Sequence, residues 1–283
     1  MTGSRMGRVQ IFRCLDVVIS VESRDPVLGD LVDDLFRDMA TSDAPTVHFS
    51  VLEHAGTYVV SVDGDGVVST VAPSFALAHL MWEINRHAIE GTSDDLLLHA
   101  AAATHESGAV VIAGPSGAGK STLIAGVVGA GLGYLTDDVL AIDASGRARP
   151  HPKPIGLGAY APTQFPTLAA MRSEYRRYMG EEWYVAPAML GGDVGVAASP
   201  CTVVFSCYTP EASTSAVRLS RAEALVALAE NSFNFSRLGT RGFEQLAAML
   251  RSCDCYRLVY SNLDRAVAFV LDALAVARRE AIA

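Results

Sequence analysis

The run Gly114-Pro-Ser-Gly-Ala-Gly119-Lys120-Ser121-Thr122 constrains this chain more than any other segment. It satisfies G-x-x-x-x-G-K-[ST] at every fixed position. A wholly apolar stretch, residues 109–113, precedes it, and a helical run over residues 120–129 follows. Strand, glycine turn and helix in that order are what a phosphate-cradling loop requires. Glycines let backbone N–H groups turn inward where a side chain would clash, and the helix N-terminus adds partial positive charge. The pattern predicts binding of a nucleoside triphosphate by Gly114, Ser116, Gly117, Ala118, Gly119, Lys120, Ser121 and Thr122. Lys120 then bridges the β- and γ-phosphates, the Ser121 hydroxyl is placed for Mg2+, and Thr122 reaches the α-phosphate.

Basic residues reinforce the motif. Twenty-two residues are Lys or Arg, and the lysines are only Lys120 and Lys153. A chain that writes nearly every cation as arginine keeps lysine where a compact ammonium is needed. Lys153, between Pro152 and Pro154, is therefore a second candidate to reach phosphate or a substrate acid.

An acidic pair, Asp137-Asp138, follows the first motif glycine by 137 − 114 = 23 positions. That spacing is too short for the second acidic motif of large ATPases. It suits a compact kinase, where one carboxylate takes a hydroxyl proton and the other assists the metal. No N-K-x-D guanine-reading motif and no L-S-G-G-Q signature is present.

The rest of the chain bounds the setting. Of 283 residues, 50% are hydrophobic and 19% charged, enough for one large domain or two smaller ones. Net charge is -9, which disfavours nucleic acid and anionic membranes as partners. No apolar run reaches the roughly 18 residues of a membrane span, and Met1–Gln10 lacks a signal-peptide core, so cytoplasmic residence is expected. Five cysteines without a CxxC pair predict neither a disulfide framework nor a zinc site.

Periodicity predicts a small α+β domain over residues 1–92. Its elements are a strand over 9–21, a helix over 27–39, three strands between 46 and 71, and a helix over 74–90 capped by Ser74. An α/β nucleotide-binding domain is expected over 93–283. It starts with a strand over 96–104 that carries His99. Residues 145–200 read as long loops with a short helix near 168–178. A Ser220/Glu223 capping box opens the helix over 222–231, Thr240 caps the next, and a strand over 256–260 leads to the last helix.

Leu98-His99-Ala100, the glycine-lysine motif and Thr136-Asp137-Asp138 together resemble the catalytic domain of HPr kinase/phosphorylase. Pro152-Lys153-Pro154 and Tyr256-Arg257-Leu258 extend the likeness toward the divergent HPr-kinase-like branch found in clusters making lasso and other modified peptides. The resemblance implies an α/β core of the HPr kinase C-terminal type that uses ATP and Mg2+. It implies phosphoryl transfer to a serine of a protein or peptide, such as a biosynthetic precursor peptide, and assembly into homo-oligomers. It makes Asp137 the catalytic base, places His99 near the acidic pair to tune it, and gives Asp138 to substrate or metal beside Ser121. The family's downstream glutamate signature is missing, and the first 90 residues do not match its usual N-terminal domain. A kinase for a small metabolite hydroxyl, and a nucleotide-binding regulator with little turnover, stay open as alternatives.

Overall fold

The computed structural model describes residues 7–282, with side chains through residue 277. The first six residues, part of the stretch judged for a signal peptide, lie outside the described residues. The described chain is a mixed α/β protein that divides into two compact units.

The first unit opens with β1 (Arg8–Cys14) and β2 (Val17–Ser23). These form a hairpin, with Cys14 opposite Val17. The single strand expected over 9–21 is corrected here, because the chain turns at Leu15-Asp16. Leu15 sits at φ 56, a region leucine rarely enters, but its side chain is buried. The helix α1 (Pro26–Phe36) follows, with Asp25 accepting from the Val27 and Leu28 amides as N-cap. Then come β3 (Val47–His54), β4 (Thr57–Val62), β5 (Asp65–Thr70) and α2 (Pro73–Gly91). The five strands lie in sequence order, all pairs antiparallel except β2 with β3. Alternating inward residues, Phe49 and Val51 on β3 and Tyr58, Val60 and Val62 on β4, are buried. Leu28, Leu31, Leu77 and Leu80 are likewise buried on the helices. Ser74 does not cap α2. The N-cap is Ala72 and Pro73 takes the first turn, where its missing N–H costs nothing.

The second unit begins with β6 (Leu96–Leu98), β7 (Ala100–His105) and β8 (Gly108–Ala113). The strand expected over 96–104 is therefore two, and His99 sits at the break between them. After α3 (Lys120–Gly129) come β9 (Gly133–Thr136), β10 (Leu140–Ile142) and β11 (Ala148–Arg149).

The chain then returns to the first unit for Gly156–Ala186. This return holds the end of β12 (Ile155–Leu157), then α4 (Ala161–Gln164), α5 (Ser173–Met179) and β13 (Trp183–Val185). A single boundary after residue 92 does not describe this division. Within the first unit, Tyr175 donates its hydroxyl to Asp34 at 2.9 Å, and Tyr178 donates to Asp25.

From Pro187 onward the second unit is completed by β14 (Pro200–Tyr208), β15 (Ser215–Leu219), α6 (Arg221–Glu230), α7 (Phe235–Leu238), α8 (Thr240–Leu250), β16 (Asp254–Tyr260) and α9 (Leu263–Ile282). The expected capping box at Ser220 and Glu223 is present, but α8 is preceded by Gly239, and Thr240 is its first residue. A six-stranded sheet runs β15-β16-β14-β8-β7-β9, with β16, β14 and β8 mutually parallel. Strands β6, β10 and β11 form a separate three-stranded sheet. Alternate residues on β8 serve two faces. Val111 and Ala113 join a core with Phe205, Ala224, Leu228 and Leu246, while Val110 and Ile112 are buried on the other side. The helices α3 and α9 pack together, and a Cβ on Gly126 would lie 2.7 Å from Val267 Cγ2. No helix among the described residues is long and apolar enough to cross a membrane.

Candidate active site

The loop between β8 and α3 sits at the C-terminal end of β8, the last of the three parallel strands. Three of its glycines have positive φ: Gly114 at 145°, Gly117 at 80° and Gly119 at 87°. Gly119 shows the need for glycine most sharply. A Cβ there would come within 2.3 Å of the Tyr260 hydroxyl. Neighbouring strand ends clamp the loop. The Tyr208 amide donates to Ala118 O at 3.1 Å, and Tyr260 Oη donates to Gly119 O at 3.1 Å. Just before these anchored residues, Ser116 and Gly117 are exposed at the tip.

Lys120 is 5% exposed and opens α3. Its Nζ donates to Gly114 O at 2.9 Å and Pro115 O at 3.2 Å, so the ammonium spans the loop. Burial pushes its pKa down, and the charges of Asp138 and Asp137 oppose that shift. Ser121 and Thr122, next on the helix, are half-buried.

The acidic pair divides sharply. Asp137 is fully buried, and the Ser121 hydroxyl donates to its Oδ1 at 3.1 Å. Asp138 is partly exposed and sits at φ 68, in the left-handed region that aspartate tolerates better than most residues. The turn aims consecutive carboxylates at different surroundings. Lys153 Nζ lies 3.1 Å from Asp138 Oδ2, and His99 Nε2 lies 3.7 Å from Oδ1. The Lys153 ammonium holds the Asp138 carboxyl well below the usual carboxylate range, with the nearby His99 ring adding to it and burial opposing.

Second-unit elements thus bring the sequence candidates together: Lys120 and Ser121 from α3, Asp137 and Asp138 after β9, Lys153 before β12, and His99 between β6 and β7. Asp193 is exposed, and its carbonyl accepts from the Tyr134 amide. Pattern reading missed the residues that hold these in place. The Asn231 carbonyl accepts from the His99 amide at 2.7 Å, and the Tyr134 hydroxyl donates to Lys153 O at 2.7 Å. Tyr260, adjoining the Tyr-Arg-Leu stretch, was the one with a nearby signal. Also outside the motifs is His151, fully buried beside Lys153 and Arg149. Neither of its ring nitrogens has a hydrogen-bond partner among the described residues. Burial, and then those two cations, push it down to about 3.

Two arms of the site differ in chemistry. One pairs an alcohol with a buried carboxylate at a helix N-terminus. The other presents an ionised carboxylate, neutralised by a lysine, at the edge of solvent. Comparison with known proteins finds no matching family model and no curated relative.

Proposed function

We propose that this chain is an ATP- and Mg2+-dependent kinase that transfers the γ-phosphoryl group to a serine hydroxyl of a peptide or protein, on a core of the HPr kinase type. The observation that carries this reading is the split of Asp137 and Asp138 into a buried carboxylate bonded by Ser121 and an accessible one beside Lys153 and His99.

The metal fits the donors present. Ser121 Oγ and Asp137 Oδ1 lie side by side, and both are hard oxygens. Mg2+ is ordinarily held by one or two such protein groups, with phosphate and water completing its shell. When bound, it would neutralise charge on the β- and γ-phosphates. This arrangement favours exchanging the roles that the family resemblance implies. Asp137 serves the metal side, and Asp138 serves the acceptor.

The loop amides and Lys120 bind the polyphosphate and stabilise the charge that develops as the bond from the γ-phosphorus to its bridging oxygen breaks. The acceptor oxygen forms the new bond to phosphorus. Its proton passes to Asp138 Oδ, which His99 and Lys153 orient. A depressed carboxyl suits this task, because a loose transition state needs the hydroxyl oriented more than deprotonated early. Dependence on ATP also supports residence in the cytoplasm.

The test offers the purified protein [γ-32P]ATP with HPr, serine peptides or a panel of hydroxylated metabolites. Label in a peptide or protein is the expected result. Label confined to a metabolite replaces the acceptor class, and tight ATP binding with no labelled acceptor replaces the kinase with a regulator. In the same assay, Asp138→Asn should lower kcat by about 10²–10⁴-fold while ATP affinity holds. Asp137→Asn should instead raise the Mg2+ concentration needed for ATP binding. The opposite pattern restores Asp137 as the base.

A further inference from the structure

A cleft of about 890 Å³ opens beside the glycine loop in the second unit, and the reaction above gives no role to its walls beyond that loop. Its position along the loop is informative. It borders Gly114–Ala118, but Lys120, Ser121 and Thr122 do not line it. A P-loop holds the α-phosphate at the start of its helix, so the nucleoside leaves from that end. The cleft therefore lies toward the γ-phosphate, on the side from which an acceptor must come. Its far wall is α6, ending at Asn231, whose carbonyl holds the His99 amide at 2.7 Å. The wall thus ends one residue contact away from the His99–Asp138 pair.

The lining has a definite chemistry. Val226 is 56% exposed on the cleft face of α6, opposite Phe205 and Leu219. Three charged residues share the cleft: Glu223, Glu230 and Arg257. Glu223 is committed. Ser220 first, and then the Arg257 charge, hold its carboxyl below the usual range. Glu230 is exposed and makes no ion pair among the described residues, so one negative charge is left unmatched. The wall from Ala222 to Glu230 is also long, about 12 Å along the helix axis. That matches about three to four residues of extended chain.

We propose, resting on the kinase reading, that this cleft seats the acceptor as an extended peptide segment, with an apolar side chain against Val226 and a basic side chain against Glu230. Glu230 adjoins Asn231, so the basic residue lies nearer the phosphorylated serine than the apolar one.

The test is a positional-scanning library of synthetic peptides, each with one serine, phosphorylated with [γ-32P]ATP. A metabolite-hydroxyl panel runs in parallel. The wild-type protein should select Arg or Lys at one position and an aliphatic or aromatic residue farther from the serine. Glu230→Arg should lower kcat/KM for the basic peptide by about tenfold and shift selection toward Asp or Glu. Val226→Arg should erase the apolar preference. Both sites are exposed, and mant-ATP binding should stay at the wild-type value, which reports the fold. Peptide labelling without these preferences, or with preferences that both variants retain, overturns the cleft assignment and leaves the kinase standing. Labelling of metabolites alone also overturns it. No labelling of any acceptor, with mant-ATP bound, removes the kinase reading and this proposal with it.

Discussion

Lys153 and His151 lie two positions apart and show how one buried segment carries opposite electrostatic demands. Lys153 gives Asp138 its cation, and removing it should be visible in the pH dependence of turnover. In the proposed reaction Asp138 works ionised, and its depressed carboxyl keeps it so down to low pH. In Lys153→Met the carboxyl returns toward or above the ordinary 3.9 or so, so the acid limb of the kcat/KM profile should move to higher pH. An unmoved limb would separate Lys153 from the base. His151 acts on stability instead. It stays neutral when folded down to about 3, against an ordinary value of 6.5. Between those values the unfolded chain binds more protons. Its contribution is therefore fully present above pH 6.5 and is lost as pH falls toward 3, by about 1.4 kcal/mol per pH unit. His151→Leu should flatten that part of the unfolding free energy between pH 6 and 4, measured by urea denaturation. At this scale the candidate side chains were legible as a cluster, because Ser121 with Asp137, and Asp138 with His99 and Lys153, stand at motif positions and lie close together. Their supports were not. Asn231 lies 231 − 99 = 132 positions from His99, and nothing local encodes that bond.

At the scale of elements, the two-residue capping box held, while the single-residue caps at Ser74 and Thr240 and the patterns that depend on distant packing slipped. The Ser220/Glu223 capping box needs only a three-residue spacing, and it is present. Ser74 looked equally able to cap, but Pro73 already sets the first turn of α2. The β1–β2 hairpin hid because its turn is Leu15-Asp16, with none of the glycine or asparagine that marks such turns. Gly126 is another silent position, since only the crossing of α3 with α9 explains it. Alanine there would gain about 1 kcal/mol of helix propensity but overpack Val267 and Leu263 by about 1–3 kcal/mol. Gly126→Ala should thus lower stability by about 1 kcal/mol, the middle of that difference. Adding Val267→Ala should cost less than the sum of the two single changes, because the pair shares one contact. Additive thermal-melt values would mean the helices relax apart there.

The chain as a whole is organised around a detour that composition could not announce. Residues 156–186 fall within the stretch read as long loops with a short helix near 168–178, and a helix does form at Ser173–Met179. In the structure they belong with the first unit, where Tyr175 and Tyr178 bond to Asp34 and Asp25 and Arg177 donates to Tyr58 Oη at 3.0 Å. Their apolar surface is buried as well, with Leu168, Tyr175, Tyr178, Met179 and Trp183 all under 9% exposed. Each large apolar side chain stripped of its cover loses about 1.5–3 kcal/mol of burial. Cutting the chain after residue 92, where periodicity alone puts the domain boundary, would leave this segment without its partners. A fragment of residues 93–283 should therefore be cleaved by trypsin within 156–186 at Arg172, Arg176 or Arg177, while the full chain resists under the same conditions. The loop at Gly114–Gly119 and its clamps belong wholly to the second unit, so the nicked fragment should still bind mant-ATP. If the fragment resists proteolysis as the full chain does, residues 156–186 fold without the first sheet. The division of the molecule would then lie at residue 92 after all.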